Sequence, residues 1–274
     1  QEYSAVAAAR AAYVAGFTST SNLEAGRTWD IPTSGTAAHS FTLLHDTEEE
    51  AFRAQLATLG DDTTLLVDTY DVDEAIRLGV RLTEGRLGAV RLDSGDLPEV
   101  SRQARQLLDS LGATQTRIIV TSDLDEWQLA ALAGAPVDGY GVGTSLVTGS
   151  GHPTCGFVYK LVSREDANAT MRPVAKKSKN KATVGGRKFA LRRLDDNNIA
   201  TDEVIGVGTP PEGDYNDRPL LVPLVRSGEI VGRTTLAEAR ERHQQSFAEL
   251  PMAARKMSRG EPLIPTVYLD EEAL

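Results

Sequence analysis

The stretch Thr63-Thr64-Leu65-Leu66-Val67-Asp68-Thr69-Tyr70-Asp71 decides how this chain folds. Its first half is apolar and β-branched, and its second half is polar. The same grammar returns three times. Gly88-Ala89-Val90-Arg91-Leu92 runs into Asp93-Ser94-Gly95-Asp96, Arg117-Ile118-Ile119-Val120 into Thr121-Ser122-Asp123, and Val137 to Val142 into Gly143-Thr144-Ser145. Helical patterns separate the runs: Val72 to Leu78, a long one from near Pro98 to Leu111, and Leu124 to Ala133. Another, Glu48 to Leu59, precedes the first run, with Phe52, Leu56 and Leu59 as its apolar face. Pro98 suits a first helical turn, where a missing N–H loses nothing. Short buried strands alternating with helices every 20 to 30 residues or so predict βαβ units with parallel pairing.

In α/β barrels and open parallel sheets, active sites form at the carboxyl ends of the strands. Four successive polar strand ends therefore predict a site on one face of the sheet. Helix capping competes for each Asp and Ser, because the same residue types accept hydrogen bonds from a following helix. Strand spacing alone does not choose between a barrel and a doubly wound sheet.

Outward from this core the pattern changes. Gln1 to Gly16 is alanine-rich, with Val6, Ala9, Tyr13 and Val14 at helical spacing, and Arg10 with no basic leader argues against a signal peptide. Beyond residue 150, Gly151-His152-Pro153 reads as a loop and Thr154 to Val162 as a strand. Arg172 to Arg193 gathers Lys176, Lys177, Lys179, Lys181 and Lys188 around Gly185-Gly186. Asp195 to Val207 and Leu220 to Gly232 read as short strands, with turns at Gly213-Asp214 and Ser227-Gly228. Thr235 and Glu238 form a capping box ahead of a helix to about Phe247, and a last helix runs from Ala253 to Arg259. The expected domains are a barrel core over 1–150, a basic loop and β-rich segment over 151–234, and C-terminal helices over 235–274.

The 274 residues suit one large domain, or a core with a smaller attachment. Lys and Arg number 29 against 39 Asp and Glu, a net charge of -10, which argues against a nucleic-acid partner bound through its phosphates. No apolar run reaches the roughly 20 residues of a membrane span. The single cysteine, Cys155, excludes a disulfide framework, and with no motif around it Cys155 reads as buried packing.

Several side chains could carry chemistry. Period two puts Arg91 and Asp93 on the same side of a strand end, either as a plain ion pair or as a grip on a hydroxylated anion. Asp68 and Asp71 add hard oxygen ligands of the kind Mg²⁺ prefers. Gly141-Val142-Gly143-Thr144-Ser145 offers backbone amides to a phosphate, although the Gly-Lys-Ser/Thr ending of a P-loop is absent. His39 follows the Gly35-Thr36 turn, whereas His45, His152 and His243 sit in no partner pattern. No Ser-His-Asp or Cys-His set presents itself.

Taken together, Ser34-Gly-Thr-Ala-Ala-His39-Ser40, Leu65-Leu-Val-Asp-Thr-Tyr-Asp71, Val90-Arg-Leu-Asp-Ser-Gly-Asp96, Ile119-Val-Thr-Ser-Asp123 and Gly139-Tyr-Gly-Val-Gly-Thr-Ser145 resemble the nicotinate phosphoribosyltransferases, in the family's order. The resemblance extends to Ser4 to Gly16 and to Lys176 to Lys188. It implies an incomplete TIM-like parallel α/β barrel of the type II phosphoribosyltransferases, with a small β-rich and helical C-terminal part. It implies synthesis of nicotinate mononucleotide and diphosphate from nicotinate and phosphoribosyl pyrophosphate, coupled to ATP hydrolysis, with Mg²⁺, in a homodimer; the absence of targeting signals favours the cytoplasm.

Residue by residue, the resemblance makes His39 the phosphorylated histidine and Asp71 the carboxylate near Mg²⁺ and pyrophosphate. Arg91 and Asp93 match contacts to the ribosyl and pyridine portions. Ser122, Asp123, Gly143 and Thr144 match turns around the ribose and its 5′-phosphate. Ser21 or Asn22 falls near the pyridine carboxylate, and Lys176, Lys177 and Lys188 match a basic loop over the phosphates. Displacement at the anomeric carbon needs positioning and charge stabilisation rather than a protein nucleophile. Members of the family are longer, so the resemblance also implies an absent N-terminal region with pyridine-stacking and arginine residues, and weak turnover without it. A nicotinamide-specific enzyme and a non-catalytic nucleotide- or phosphate-binding relative are the alternatives.

Overall fold

The computed structural model describes residues 2–149, 152, 154–179, 182–258 and 260–269. Gln1, Gly151, Pro153, Lys181 and Arg259, named above, lie outside the described residues. The chain divides into two compact units, one holding the residues up to Tyr13 and Phe17–Thr154, the other Val14–Gly16 and the residues from Cys155 onward.

The first unit opens with α1 (Glu2–Val14), α2 (Leu23–Trp29), α3 (His39–Leu43) and α4 (Glu48–Leu59). Then strands and helices alternate: β1 (Thr64–Leu66), α5 (Val72–Leu82), β2 (Ala89–Leu92), α6 (Leu97–Ser110), β3 (Arg117–Val120), α7 (Glu126–Leu132), β4 (Gly139–Tyr140) and α8 (Thr144–Thr148). The four strands form one sheet in the order β1-β2-β3-β4, every pair parallel. The predicted βαβ repeat is therefore present, although β4 is shorter than the run Val137 to Val142.

Period two sorts the two faces of this sheet. Leu65, Val67, Val90, Leu92, Ile118 and Val120 are buried in one apolar cluster with Ala75, Ile76, Ala104, Leu108 and Leu132 from the helices. Thr64, Arg91, Ile119 and Thr121 have the opposite parity and line an open cleft instead. Gly88, just before β2, has no room for a side chain, since a Cβ there would strike the Asp62 backbone. Helix α4 turns differently from its expected face. Leu59 is 64% exposed, Leu56 half-buried, and the buried set is Ala51, Phe52 and Gln55. Gln55 repays its burial by donating to Thr63 Oγ1 (2.9 Å) and to the Thr64 carbonyl (2.8 Å).

The helix starts divide the strand-end carboxylates into two groups. Asp71 caps α5 through Glu74 N–H (2.9 Å), and Asp96 caps α6 through Glu99 N–H (3.2 Å), with Pro98 in the first turn. Asp125 caps α7 in a capping box with Gln128. Asp68 and Asp93 cap nothing.

The second unit is mostly β. It contains β5 (Ser163–Glu165), β6 (Met171–Pro173), β7 (Lys188–Leu194), β8 (Ala200–Val207), β9 (Arg218–Pro219), β10 (Val225–Arg226), β11 (Glu229–Ile230), α9 (Leu236–Ala248) and β12 (Thr266–Tyr268). The main sheet runs β12-β8-β7-β9, antiparallel except for β12 beside β8. The turn at Ser227-Gly228 is present, with both residues at positive φ, and so is the Thr235/Glu238 capping box. Three expectations fail. Thr154 to Val162 forms no strand: among the described residues no strand pairs along it, only the Val162 carbonyl accepting from Val174 and Gly186 N–H, and Phe157, Val158, Tyr159 and Leu161 stand exposed. Cys155, at the start of that unpaired stretch, is exposed rather than buried. Instead of a helix from Ala253, a single 3-10 turn spans Met252–Arg255, and the chain then becomes extended towards β12.

Candidate active site

A cleft of about 960 Å³ lies on the face of the parallel sheet opposite α5, α6 and α7, with α1 and α8 contributing to its lining. Of the residues expected in a site, Ser21, Arg91, Asp93, Ser122, Asp123, Gly143 and Thr144 line it. Phe17, Thr18, Thr36, Thr121 and Tyr140 line it as well. Thr36, Thr121 and Tyr140 lie within the quoted motifs but have no role assigned there, and Phe17 and Thr18 lie outside them; parity with Arg91 could have found Thr121.

Arg91 is the hub, and only 16% of its side chain is exposed. Its Nε donates to Thr121 Oγ1 (2.7 Å) and its Nη2 to Asp93 Oδ1 (2.7 Å). Its Nη1 reaches back to Thr36 Oγ1 (2.8 Å) and the Ala37 carbonyl (3.1 Å). The Thr121 hydroxyl donates to Asp93 Oδ1 in turn. Burial works against ionising Asp93, but the Thr121 hydroxyl, then the Arg91 guanidinium and lastly His39 outweigh it and hold the carboxyl below the ordinary range. The sequence-level pairing of Arg91 with Asp93 is thus present as a real contact.

His39 begins α3, half-buried, with Nδ1 3.0 Å from Thr69 Oγ1. Its Nε2 faces two carboxylates, Asp68 Oδ1 at 3.9 Å and Asp93 Oδ2 at 3.8 Å. Asp68 is held from behind: Oδ2 accepts from Asp93 N–H (3.0 Å) and Ser94 Oγ (2.7 Å). Its Oδ1 is buried without a hydrogen-bond partner. An orphaned, buried carboxylate oxygen is costly unless a cation or a donor comes to it.

Ser122 sits at φ 116°, a conformation that favours glycine, immediately after β3. Gly143 caps α8 with its backbone and Thr144 is the first helical residue. Asp71 and His39 are not among the residues lining the cleft. Asp71 faces Glu48 instead; desolvation, and then the Asp71 charge, push the Glu48 carboxyl up. No group of three or more His, Cys, Asp or Glu side chains arranged to hold a metal ion occurs among the described residues. In the second unit, Lys188 donates to the Val184 and Gly186 carbonyls, and desolvation lowers its pKa. Lys176 donates its backbone N–H to Thr183 Oγ1 and is exposed, while Lys177 lines a hollow of about 550 Å³ with Arg187, Gly185 and Gly186.

These features make a candidate ligand-binding cleft at the carboxyl ends of parallel strands in an α/β unit. No family model matches the chain. Over 274 aligned residues it is 51% identical to nicotinate phosphoribosyltransferase pncB1 of Mycobacterium tuberculosis, covering 97% of this chain and 60% of that protein. It is 42% identical to pncB2 of the same organism, over 91% of this chain and 54% of that one. The nicotinate phosphoribosyltransferase of Bacillus subtilis is 41% identical over 69% of this chain and 40% of its own. The similarity to the two mycobacterial proteins runs over almost the whole chain, which spans about 60% of the length of the first of them. In fold it is similar to human nicotinic acid phosphoribosyltransferase, with a TM-score of 0.73 at 23% identity over 97% of this chain and 65% of that one. It is also similar to nicotinate-nucleotide pyrophosphorylase from Pyrococcus furiosus, with a TM-score of 0.66 at 21% identity over 88% and 61%. No helix among the described residues is long and apolar enough to cross a membrane.

Proposed function

We propose that this chain carries the phosphoribosyl-transfer site of a nicotinate phosphoribosyltransferase. The pyridine nitrogen of nicotinate attacks the anomeric carbon of phosphoribosyl pyrophosphate, the bond to pyrophosphate breaks, and nicotinate mononucleotide and diphosphate leave. The observation that carries this reading is the cluster of Arg91, Asp93, Asp68 and His39 at the ends of β1 and β2, in a chain homologous to enzymes of that name.

Each residue has a role in it. The ionised Asp93 stabilises the cationic ribosyl group as the leaving group departs. Arg91 orients the pyridine carboxylate with its planar fork. Backbone amides at Ser122–Asp123 and Gly143–Thr144 receive the ribose and 5′-phosphate, and Ser21 flanks the pyridine. Lys176 and Lys188 belong to the basic segment read as a cover for the phosphates; the carbonyls already bonded to the Lys188 ammonium favour Lys176 and Lys177 for that part. Mg²⁺ bound with pyrophosphate would supply charge neutralisation. Mg²⁺ binds through one or two carboxylates plus substrate phosphates, so a three-residue cluster is not required. The orphaned Asp68 Oδ1 fits that need, with Asp71, whose Oδ1 serves the α5 cap, as the neighbouring carboxylate.

ATP enters as co-substrate: His39 takes its γ-phosphoryl group, ADP leaves, and water later cleaves the phosphohistidine. The added charge of about −2 beside the strand ends would reposition Mg²⁺-pyrophosphate. The sheet is read as part of a TIM-like barrel. Its order runs sequentially with no reversal, and helices cover one face while a cleft occupies the other. A cytoplasmic homodimer completes the reading.

The test is incubation with γ-labelled ATP, nicotinate, phosphoribosyl pyrophosphate and Mg²⁺. Acid-labile label on the protein and formation of nicotinate mononucleotide, both lost in His39→Ala, are expected. Label that persists in His39→Ala removes His39 from the mechanism. No label and no nucleotide, with phosphate still bound, leaves a binding protein only.

A further inference from the structure

Arg91 does two jobs whose connection has a consequence. Its Nε and Nη2 are fixed to Thr121 and Asp93, the residues just after β3 and β2, and all three line the cleft. Its Nη1 holds Thr36 Oγ1, which lines the same cleft, and the Ala37 carbonyl, 55 and 54 residues earlier in the chain. Residues 35–37 belong to no helix or strand, and Gly35 and Thr36 are exposed. Up to Ser34 the chain is tied down by the Thr20–Thr33 bridge and the Ser34 N–H to Thr20 carbonyl bond. From Ala38 onward α3 begins. Between those anchors, the two Arg91 bonds are the only hydrogen bonds described for residues 35–37. The segment they hold leads directly into His39.

We infer that Arg91 is a latch: it pins the segment in front of His39, and an anionic group bound in the cleft releases that segment by taking over Nη1. The acceptors at Nη1 are a hydroxyl and a carbonyl, both neutral, whereas a carboxylate or phosphate oxygen makes a charge-assisted bond roughly twice as strong. Asp93 and Thr121 keep the guanidinium in place during the exchange, so only the partner at Nη1 changes. Occupancy of the cleft and the freedom of His39 are then one equilibrium. Such coupling is reciprocal: whatever loosens the segment must tighten anion binding by the same factor. Arg91 acts here through His39, as a positioning residue, in addition to any contact with substrate. The inference rests on the proposed reaction only for the identity of the anion.

The experiment uses the whole chain, its Thr36→Val and Thr36→Ser variants, and nicotinate and inorganic phosphate as separate probes. Thr36→Val is isosteric and deletes one acceptor; Thr36→Ser keeps it. Methyl order parameters of Ala37 and Ala38 report the segment, and calorimetry reports anion affinity. Expected are lower order parameters in ligand-free Thr36→Val, affinity for the binding anion raised 2- to 5-fold or so as the coupling requires, and wild-type behaviour in Thr36→Ser. Adding the anion to the wild-type chain should lower the same order parameters. Unchanged order in Thr36→Val, or an affinity that falls, overturns the latch. If phosphate binds and nicotinate does not, the proposed reaction fails while the phosphate arm still decides the latch. If neither binds, the anion-release step is overturned.

Discussion

Asp68 Oδ1 and His39 Nε2 face each other at 3.9 Å, and the carboxylate oxygen has no other partner. Asp68 is fixed by two bonds to its other oxygen, and 4% of its side chain is exposed. The imidazole, with Nδ1 3.0 Å from Thr69 Oγ1, is the more exposed of the two. Asp68→Asn keeps an acceptor for Asp93 N–H and Ser94 and removes the negative charge. ATP-dependent labelling of His39 should fall 10²-fold or more, a general acid–base scale of loss, while the denaturation midpoint stays within about 1 kcal/mol of wild type. Labelling at the wild-type rate in Asp68→Asn would show that the charge opposite His39 is idle.

Thr121 is the hydroxyl that closes the Arg91–Asp93 pair, accepting from one and donating to the other. Its bond to Asp93 is the largest influence lowering that carboxyl. Thr121→Val removes it and leaves Asp93 to Arg91 and, more weakly, His39. The Asp93 carboxyl then rises, so that on acidification the ionised form is lost sooner. The acid limb of the kcat/KM profile for nucleotide formation should move to higher pH in Thr121→Val, with the alkaline limb unmoved. An acid limb that does not move would dissociate Asp93 from that titration.

Some of this arrangement was legible in the residues themselves. Alternation in Leu65, Val67, Val90 and Leu92 announced one buried face, and the same parity put Arg91 beside Asp93. The contact from Arg91 to Thr36 was not legible, because no local pattern joins a strand residue to a loop 55 positions away. Nor could the sequence divide the carboxylates. Asp68 and Asp71 stand in the same polar run, yet helix α5 takes Asp71 as its cap and leaves Asp68 facing His39. The run from Phe157 to Leu161 misled for a related reason: β-propensity names a strand, but only a hydrogen-bonded neighbour makes one.

Glu48 is a small liability at the start of α4. Its Oε1 is buried without a partner, and desolvation, then the charge of Asp71, raise its pKa. A carboxyl whose folded pKa lies above its unfolded value carries no penalty while both states are protonated. The penalty grows as pH rises through the unfolded value of about 4.3 and is complete above the folded one. Glu48→Gln removes the titration. Its Tm should exceed that of the wild type at pH 7, with the difference shrinking towards zero below about pH 4. A gap of equal size at both pH values would point to packing rather than charge.

The second unit is held at one corner by a half-buried charge network, and its geometry sets the most severe substitution. Glu249, at the end of α9, accepts from Arg192 Nη1 (3.1 Å) and from Arg218 Nε and Nη2 (2.7 and 2.6 Å). Arg192 also donates to Glu203 (2.5 Å), so two cations and two anions balance across β7, β8, β9 and α9. Glu249 and Arg192 have only 11% and 14% of their side chains exposed. Removing one member of such a network leaves an uncompensated charge in a poorly solvated place, a loss of about 3 to 5 kcal/mol for a fully buried pair. Arg218 is 33% exposed and can rehydrate, which reduces that loss. Glu249→Ala should therefore lower stability by about 2 to 3 kcal/mol in urea titrations that follow the second unit. Replacing Arg218 with Met in the Glu249→Ala background should restore part of it, because both Arg218 contacts described go to Glu249, whereas Arg192 keeps Glu203. Additive losses in the double variant would mean that Arg218 and Glu249 do not stabilise one another.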